Sequence, residues 1–289
     1  MKAPAIDYVR PRSLTEAIDL LARSGGEGRV IAGGQSLVAM MNLRVASPGL
    51  LIDIARLPEL TAATDEGDTV TLGACVTHAA IEDGRIADPS RGLMPRVAAT
   101  LAYRAIRTRG TVGGSLALSD PAAEWPAVLS ALDAEVLVCG PDGRRSIRCA
   151  ELMTGVFETT LAADEIIEGV RIPRLSAEAC WGYLKLCRKA GEFASALAVV
   201  VSDRKRSHSR VVLGGLTARR WCCSKHRELS PRMAAKRSGT PLRPISTVQR
   251  TGTSTNSSAI SIPSLRCAQC NRCCSDCDPP AGQRCPCRG

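Results

Sequence analysis

The sequence IRTRGTVGGSLALSDPAAEWP, residues 106–126, contains a paired-glycine turn, and a second such turn lies in AGGQSL, residues 32–37. Glycine has no Cβ and tolerates positive φ, so the backbone amides of such turns can converge on an anion such as a diphosphate. A serine follows each pair and adds a hydroxyl donor. A single Gly-Gly turn is most often a plain tight connection. Two of them, each with its serine, favour a phosphate-binding site.

Neither turn has the spacing of the dinucleotide motif G-x-G-x-x-G or of the P-loop with its Gly-Lys-Ser/Thr, so these two nucleotide-binding classes are excluded. Gly34-Gln35-Ser36 begins like the nucleophile elbow of serine hydrolases, but Val38 stands where that motif requires glycine. The three histidines of the chain follow no recognised triad order. We assign His78 to the start of a helix rather than to a general base.

The flanking sequence alternates between helical and strand patterns, which predicts a mixed α+β fold. Ser13 and Glu16 have the spacing of a capping box, so a helix is expected to begin there. Further helices are expected from near Thr77, over 91–103 and over 126–132. Strands are expected at 29–32, 50–54, 70–74, 183–185, 196–201 and 211–213, with a hairpin formed by 135–138 and 145–148.

The composition restricts the classes of function. The 289 residues are 45% apolar and 23% charged, which suits a globular protein, but they include only three Trp, three Tyr and two Phe. So few aromatic residues argue against stacking platforms for single-stranded nucleic acid. No apolar run reaches the ~18 residues of a membrane span, and the N-terminus lacks a secretory signal. We therefore expect a cytoplasmic protein with no membrane span.

The net charge of +10 is concentrated in residues 222–289, which hold eleven Lys and Arg against three Asp and Glu, and nine of the fourteen cysteines. This segment has no aromatic residue, so it lacks the apolar side chains of a packed core. Its basic charge leaves a nucleic-acid-binding protein as one alternative function. The spacing of Cys267, Cys270, Cys273 and Cys277 resembles a ferredoxin cluster run and leaves a metal-binding regulatory protein as another. We interpret the segment as disordered or as the product of a shifted reading frame.

An ordered series of motifs resembles a known family. The series comprises AGGQSL (32–37), LIDI (51–54), IRTRGTVGGSLALSDPAAEWP (106–126), DEIIEGVRIP (164–173) and YLKLCRKAGEFA (183–194). It is similar to the FAD-binding medium subunit of molybdenum hydroxylases, the group that includes carbon monoxide, xanthine, nicotine-type and aldehyde dehydrogenases. The resemblance implies an FAD-binding domain over residues 1–175, made of two α+β subdomains that meet near 55–60. A C-terminal α+β domain would begin over 176–221 and be incomplete or aberrant after Trp221.

The resemblance also implies which residues contact FAD. The first glycine turn, residues 32–36, would hold the diphosphate, and the second, residues 111–115, would line the same crevice through backbone donors. Glu124 would hydrogen-bond the cofactor, Leu161 would lie beside one of its rings, Lys185 would lie near the polar edge of the flavin, and Phe193 would cover the isoalloxazine. Trp125 and Tyr103 are assigned to the core. The two turns comprise Ala32, Gly33, Gly34, Gln35, Ser36, Thr111, Val112, Gly113, Gly114 and Ser115.

The function implied is electron transfer in a heterotrimer. A large molybdenum-binding subunit would hydroxylate the substrate, a small subunit with two [2Fe-2S] clusters would relay electrons, and FAD on this chain would pass them to an external acceptor. No catalytic acid–base residue and no metal ligand is expected in the chain itself. Gln35 and residues 118–121 differ from the carbon monoxide enzymes. They favour an N-heterocycle or alkaloid of the nicotine or purine type, or an aldehyde, with carbon monoxide as the alternative substrate.

Overall fold

The computed structural model describes residues 3–215 and 221–223 of the chain, the last three by their backbone. The basic and cysteine-rich segment after residue 223 lies outside the described residues. The nucleic-acid-binding and metal-binding alternatives both rest on that segment. Within the described part, no helix combines the length and the apolar character needed to cross a bilayer.

The N-terminal subdomain is a parallel three-stranded sheet in the order β1-β3-β2. Helix α1 buries one apolar face, and the Ser13 hydroxyl accepts a hydrogen bond from the Glu16 amide at 3.1 Å, which confirms the predicted N-cap. The elements are β1 Asp7–Val9, α1 Leu14–Arg23, β2 Gly28–Ile31, α2 Leu37–Asn42 and β3 Leu50–Asp53.

The second subdomain is built on an antiparallel sheet in the order β4-β5-β10-β6-β7. The predicted hairpin is confirmed as β6 and β7. The elements are α3 Pro58–Thr61, β4 Ala63–Asp65, β5 Thr69–Gly73, α4 His78–Glu82, α5 Leu93–Ala98, α6 Arg104–Arg107, α7 Val112–Leu118, α8 Glu124–Ala131, β6 Glu135–Gly140, β7 Gly143–Arg148, α9 Cys149–Leu152, β8 Met153–Gly155, β9 Glu158–Thr159 and β10 Ile166–Pro173.

The helix expected over 91–103 is shorter than predicted: α5 spans Leu93–Ala98, and α6 begins only at Arg104, beyond that range. The helix ends at Ala98, and Ala102, in the break between α5 and α6, has a left-handed φ of 38°. The guanidinium of Arg107 donates hydrogen bonds to the carbonyls of Leu101 and Ala102, at 2.8 and 3.1 Å, and so stabilises the break. Tyr103 follows the break with 66% of its surface exposed, so its assignment to the core is wrong. Trp125 is fully buried, as expected.

The C-terminal sheet is antiparallel in the order β11-β12-β13-β14, with β11 Cys180–Leu186, β12 Ala196–Asp203, β13 His208–Gly214 and β14 Trp221–Cys223. Its inner face contributes Leu197, Val199 and Val212 to the same hydrophobic core that lies under the second subdomain. A separate, smaller core surrounds Ile52 of the N-terminal subdomain and includes Leu60 and Ile166 of the second subdomain. The interior is therefore continuous across residue 176, where the sequence predicts a domain boundary.

Candidate functional site

A cleft of about 370 Å³ opens at the carboxyl ends of the three parallel strands. Arg10 follows β1, Gly33 follows β2 and Arg56 follows β3, so each strand delivers its next residues to one edge of the sheet. Thr77 and Arg109 of the second subdomain line the opposite wall. The carboxyl edge of a parallel sheet is where ligands bind in α/β proteins, because the loops that leave the strands converge there.

The first glycine turn is in direct contact with the residues that immediately precede the second. A Cβ at Gly33 would overlap the carbonyl oxygen of Arg109 and would lie 2.9 Å from the Cα of Gly110. These are backbone atoms, which cannot rotate out of the way as a side chain could. Gly33 is therefore required by the close approach of the two subdomains, and the spatial proximity predicted for the two turns is present in the structure.

The first glycine turn offers backbone donors. The amides of Gly33, Gly34, Gln35 and Ser36 donate to no acceptor among the described residues. Gly34 has a φ of 73°, which glycine adopts readily and which directs consecutive amides toward one region. The side-chain amide of Gln35 folds back to the carbonyl of Gly33 at 3.2 Å. A run of unsatisfied backbone amides next to a cleft is the donor set that a phosphate group requires.

The second glycine turn differs from the expectation that it binds through backbone donors. The amides of Val112 and Gly113 donate to the carbonyls of Val76 and Ala74 at 3.1 and 2.9 Å, and the Gly114 amide donates to the hydroxyl of its own N-cap, Thr111, at 3.1 Å. These donors are occupied because the turn is the start of α7 and is also anchored to the end of β5. Thr111 lines the cleft, whereas Gly114 and Ser115 are outside its lining.

His78 contacts Gly110, the residue immediately before the second glycine turn. Its backbone amide donates to the carbonyl of Gly110 at 2.9 Å, and a Cβ at Gly110 would lie 2.8 Å from the imidazole ring. Nδ1 of His78 accepts a hydrogen bond from the indole N–H of Trp125 at 3.0 Å. Burial, together with the positive charge of Arg107, lowers the pKa of His78 to about 4. The ring is therefore neutral at pH 7 and cannot act as a proton donor in its charged form.

A polar group at the end of β1 and β3 was missed by the sequence analysis. The hydroxyl of Tyr8 donates to Asp53, and Arg10 donates to the same carboxylate at 3.3 Å. Burial acts to raise the pKa of Asp53, but the hydrogen bonds from Tyr8, from the Ala55 amide and from Arg10 outweigh it and hold that pKa below its usual value. The only signal in the sequence was that these residues end or follow apolar strands.

Glu124 and Lys185, both predicted to contact the cofactor, form a buried ion pair with a separation of 2.5 Å and side chains that are 4% and 7% exposed. The ammonium group of Lys185 also donates to the carbonyl of Thr100 at 3.3 Å. Burial raises the pKa of Glu124 in spite of the Lys185 charge. The pair joins α8 to β11, and neither residue lines the cleft beside the glycine turns.

The two remaining predicted contacts, Leu161 and Phe193, also lie outside that cleft. Leu161 is partly buried against the larger core, whereas Phe193 is 61% exposed in the loop between β11 and β12. A Cβ at Gly191 in the same loop would lie 3.0 Å from the carbonyl oxygen of Ala102, so this loop packs closely on the break between α5 and α6. Phe193 thus presents an accessible aromatic face, as a residue that covers a planar ring must.

The cleft lining includes the thiol of Cys75, and burial makes this thiol unreactive. It is 3% exposed, and its Sγ donates to the carbonyl of Ile54 at 3.5 Å. Burial raises the pKa of this thiol to about 12, with a smaller contribution from the negative charge of Asp53. Since the thiolate is the nucleophilic form, Cys75 has no means of forming a covalent bond to a ligand at neutral pH.

Comparisons with known proteins agree on one family. Residues 4–175 match the family model described as the FAD binding domain in molybdopterin dehydrogenase. The chain is 43% identical over 218 residues to the nicotine 6-hydroxylase medium subunit of Paenarthrobacter nicotinovorans, a match that covers 74% of this chain and 76% of that one. It is 37% identical over 218 residues to the caffeine dehydrogenase subunit beta of Pseudomonas sp. (strain CBB1), covering 74% of each.

Solved structures show the same architecture. The carbon monoxide dehydrogenase of Hydrogenophaga pseudoflava contains a chain that superposes with a TM-score of 0.72 at 34% sequence identity, covering 77% of this chain and 78% of that one. The quinoline 2-oxidoreductase of Pseudomonas putida 86 gives a TM-score of 0.70 at 32% identity, with the same coverage. The mixed α+β fold predicted from the sequence is confirmed.

Replacing Gly33 by alanine tests the contact between the glycine turns. The added methyl group overlaps backbone atoms, so we expect a loss of stability of about 1–3 kcal/mol and a loss of ligand retention. Gly182→Ala is the matched control, because the nearest atom to its Cβ would be 4.0 Å away. Urea unfolding and the absorbance of bound flavin measure the two effects. Unchanged values in Gly33→Ala would show that the turns can separate without consequence.

The buried neutral His78 predicts a pH dependence of stability. Its folded pKa of about 4 lies below the ordinary value of 6.5, so the unfolded state binds more protons between these values and stability falls as the pH is lowered through this window. His78→Gln keeps an acceptor for Trp125 but does not titrate. Between pH 7 and pH 5 we expect the wild type to lose about 2 kcal/mol more than this variant. If urea titrations show that the stability of the wild type and of His78→Gln falls equally between pH 7 and pH 5, His78 does not have the lowered pKa.

Proposed function

The chain belongs to the family of FAD binding domains in molybdopterin dehydrogenases, and from this premise we propose that it is the FAD-binding medium subunit of a three-subunit molybdenum hydroxylase. The observation that carries the proposal is the first glycine turn. Its run of four unsatisfied amides begins at Gly33, which lines a cleft at the carboxyl edge of a parallel sheet, and Thr111 of the second glycine turn lines the same cleft.

The residues present fit FAD. Its diphosphate requires several converging N–H donors, which residues 33–36 supply. Ala32 and Thr111 line the cleft next to these donors, and the absence of a side chain at Gly33 lets the two walls approach. The elongated cofactor would extend from the diphosphate toward the C-terminal sheet. There we assign Glu124, Leu161, Lys185 and Phe193 to its flavin half, supported by the exposed ring of Phe193.

The chemistry supplied by bound FAD is the transfer of electrons, one or two at a time. The polar groups of the cleft bind and position rather than exchange protons. Asp53 already accepts three hydrogen bonds, His78 is neutral and bonded to Trp125, and the Cys75 thiol is protonated. The protein therefore acts by holding the cofactor, tuning its electrostatic surroundings and leaving one edge accessible.

The proposal extends to partners. A large molybdenum-containing subunit and a small subunit with two [2Fe-2S] clusters would supply the electrons, and an external acceptor would receive them in the cytoplasm. The similarity to a nicotine 6-hydroxylase subunit at 43% identity, against 36% for a carbon monoxide dehydrogenase medium chain, supports an N-heterocyclic or alkaloid substrate over carbon monoxide. Caffeine dehydrogenase, a relative at 37% identity, agrees with the purine-type alternative.

We predict that the full-length chain binds FAD without a covalent bond. Neither glycine turn contains His or Cys, and the Cys75 thiol in the cleft is unreactive. The purified protein should absorb in the visible range as a flavoprotein, and acid precipitation should release all the flavin into the supernatant. Colour that stays in the protein pellet would reveal a covalent link. A colourless protein that takes up no added FAD would overturn the proposed function.

We also predict that catalysis requires the complex. The chain alone should show no dehydrogenase activity toward nicotine-type or purine-type substrates, because the hydroxylating centre would belong to the large subunit. When the chain is produced together with the products of its neighbouring genes, a tagged form should co-purify with two other subunits and the activity should appear. Substrate-dependent dye reduction by the purified single chain would contradict the subunit assignment.

A further inference from the structure

We infer that Arg56 and Arg109 bind the diphosphate of the cofactor as charged partners, one from each wall of the cleft. This inference rests on the proposed function, and it adds two positively charged side chains to the backbone donors of the first glycine turn. Both arginines line the cleft together with Ala32 and Gly33.

Backbone contacts fix the positions of both residues. Arg56 comes immediately after Ala55, whose amide donates to Asp53 at 2.9 Å at the end of β3. The carbonyl of Arg109 lies directly against Gly33. The backbone of Arg109 is therefore held where the first glycine turn meets the second subdomain. The two arginines therefore come from opposite subdomains and line the same cleft as Gly33, the first residue with a free amide.

The charges of the cleft are unbalanced in favour of an anion. Arg10 already pairs with Asp53, which also accepts from Tyr8. Among the residues that the structure describes, no carboxylate lies within 4 Å of the Arg56 or the Arg109 guanidinium, and neither donates a side-chain hydrogen bond there. Two positive charges thus remain, which matches the two negative charges of a diphosphate.

The neighbouring arginines, Arg104 and Arg107, form ion pairs with carboxylates and do not line the cleft. Arg104 and Arg107 pair with Glu82, and Arg104 also pairs with Asp83, at distances of 2.6 to 2.8 Å. These contacts hold α6 against α4 and so position the second glycine turn. Arg109, only two residues after Arg107, is outside this network and lines the cleft instead. Charge-assisted hydrogen bonds from arginine to phosphate are shorter and stronger than those between neutral groups.

The test measures FAD affinity of the flavin-free full-length chain by fluorescence quenching, at several salt concentrations and with ADP as competitor. Arg56→Gln and Arg109→Gln should each weaken FAD binding about tenfold, and the double variant about a hundredfold. ADP, which carries the same diphosphate, should lose affinity by a similar factor. Since salt screens exposed charges, the affinity of the wild type should fall with salt more steeply than that of the double variant.

Control variants show whether the loss of FAD affinity is specific to the charges of Arg56 and Arg109. The lysine variants of both positions should recover part of the affinity, and Arg148→Gln, a change on an exposed residue outside the cleft, should leave it unchanged. A double variant with wild-type affinity, or a wild-type affinity that does not depend on salt, would overturn the inference while the proposed function stands. Failure of the wild type to bind any FAD would instead remove the proposed function.

Discussion

The approach of Gly33 to the backbone of Arg109 and Gly110 is the contact on which the site depends. It joins a turn that leaves a parallel sheet to a turn that starts a helix in the other subdomain, and no side chain fits between them. Each subdomain has a polar edge at this point, and only their juxtaposition makes a cleft with two walls. The constraint is steric and acts on backbone atoms, which explains why position 33 is a glycine.

The two glycine turns share a sequence pattern but differ in whether their backbone amides are hydrogen-bonded within the protein. In the first, consecutive amides have no acceptor among the described residues, while in the second the equivalent amides are hydrogen-bonded to Val76, Ala74 and Thr111. A turn whose amides are satisfied internally is rigid and forms a fixed wall. A turn with unsatisfied amides can donate to a ligand without breaking any hydrogen bond within the described residues, and water is exchanged for the ligand at those donors. The neutral imidazole of His78, tied to Trp125, keeps the rigid wall in place.

Most of the secondary structure followed from local signals. The N-cap at Ser13, the hairpin of β6 and β7 and the strands of the C-terminal sheet have short-range patterns that the sequence displays directly. The break near Ala102 could not be predicted from local signals, because it depends on hydrogen bonds from the Arg107 side chain to two backbone carbonyls. The group of Tyr8, Arg10 and Asp53 was missed for the same reason. Its members are up to 45 positions apart, and only strand pairing brings them together.

The ion pair of Glu124 and Lys185 connects the resemblance to the structure. Both residues were assigned to the cofactor separately, on the basis of distant segments of sequence, and they lie 2.5 Å apart. Both assignments come from the same resemblance, and the structure brings the two residues together where α8 of the second subdomain meets β11. Removing one partner of such a buried pair leaves an uncompensated charge, which costs about 3–5 kcal/mol. The pair thus links β11 of the C-terminal sheet to α8 of the second subdomain beside the core that the two share.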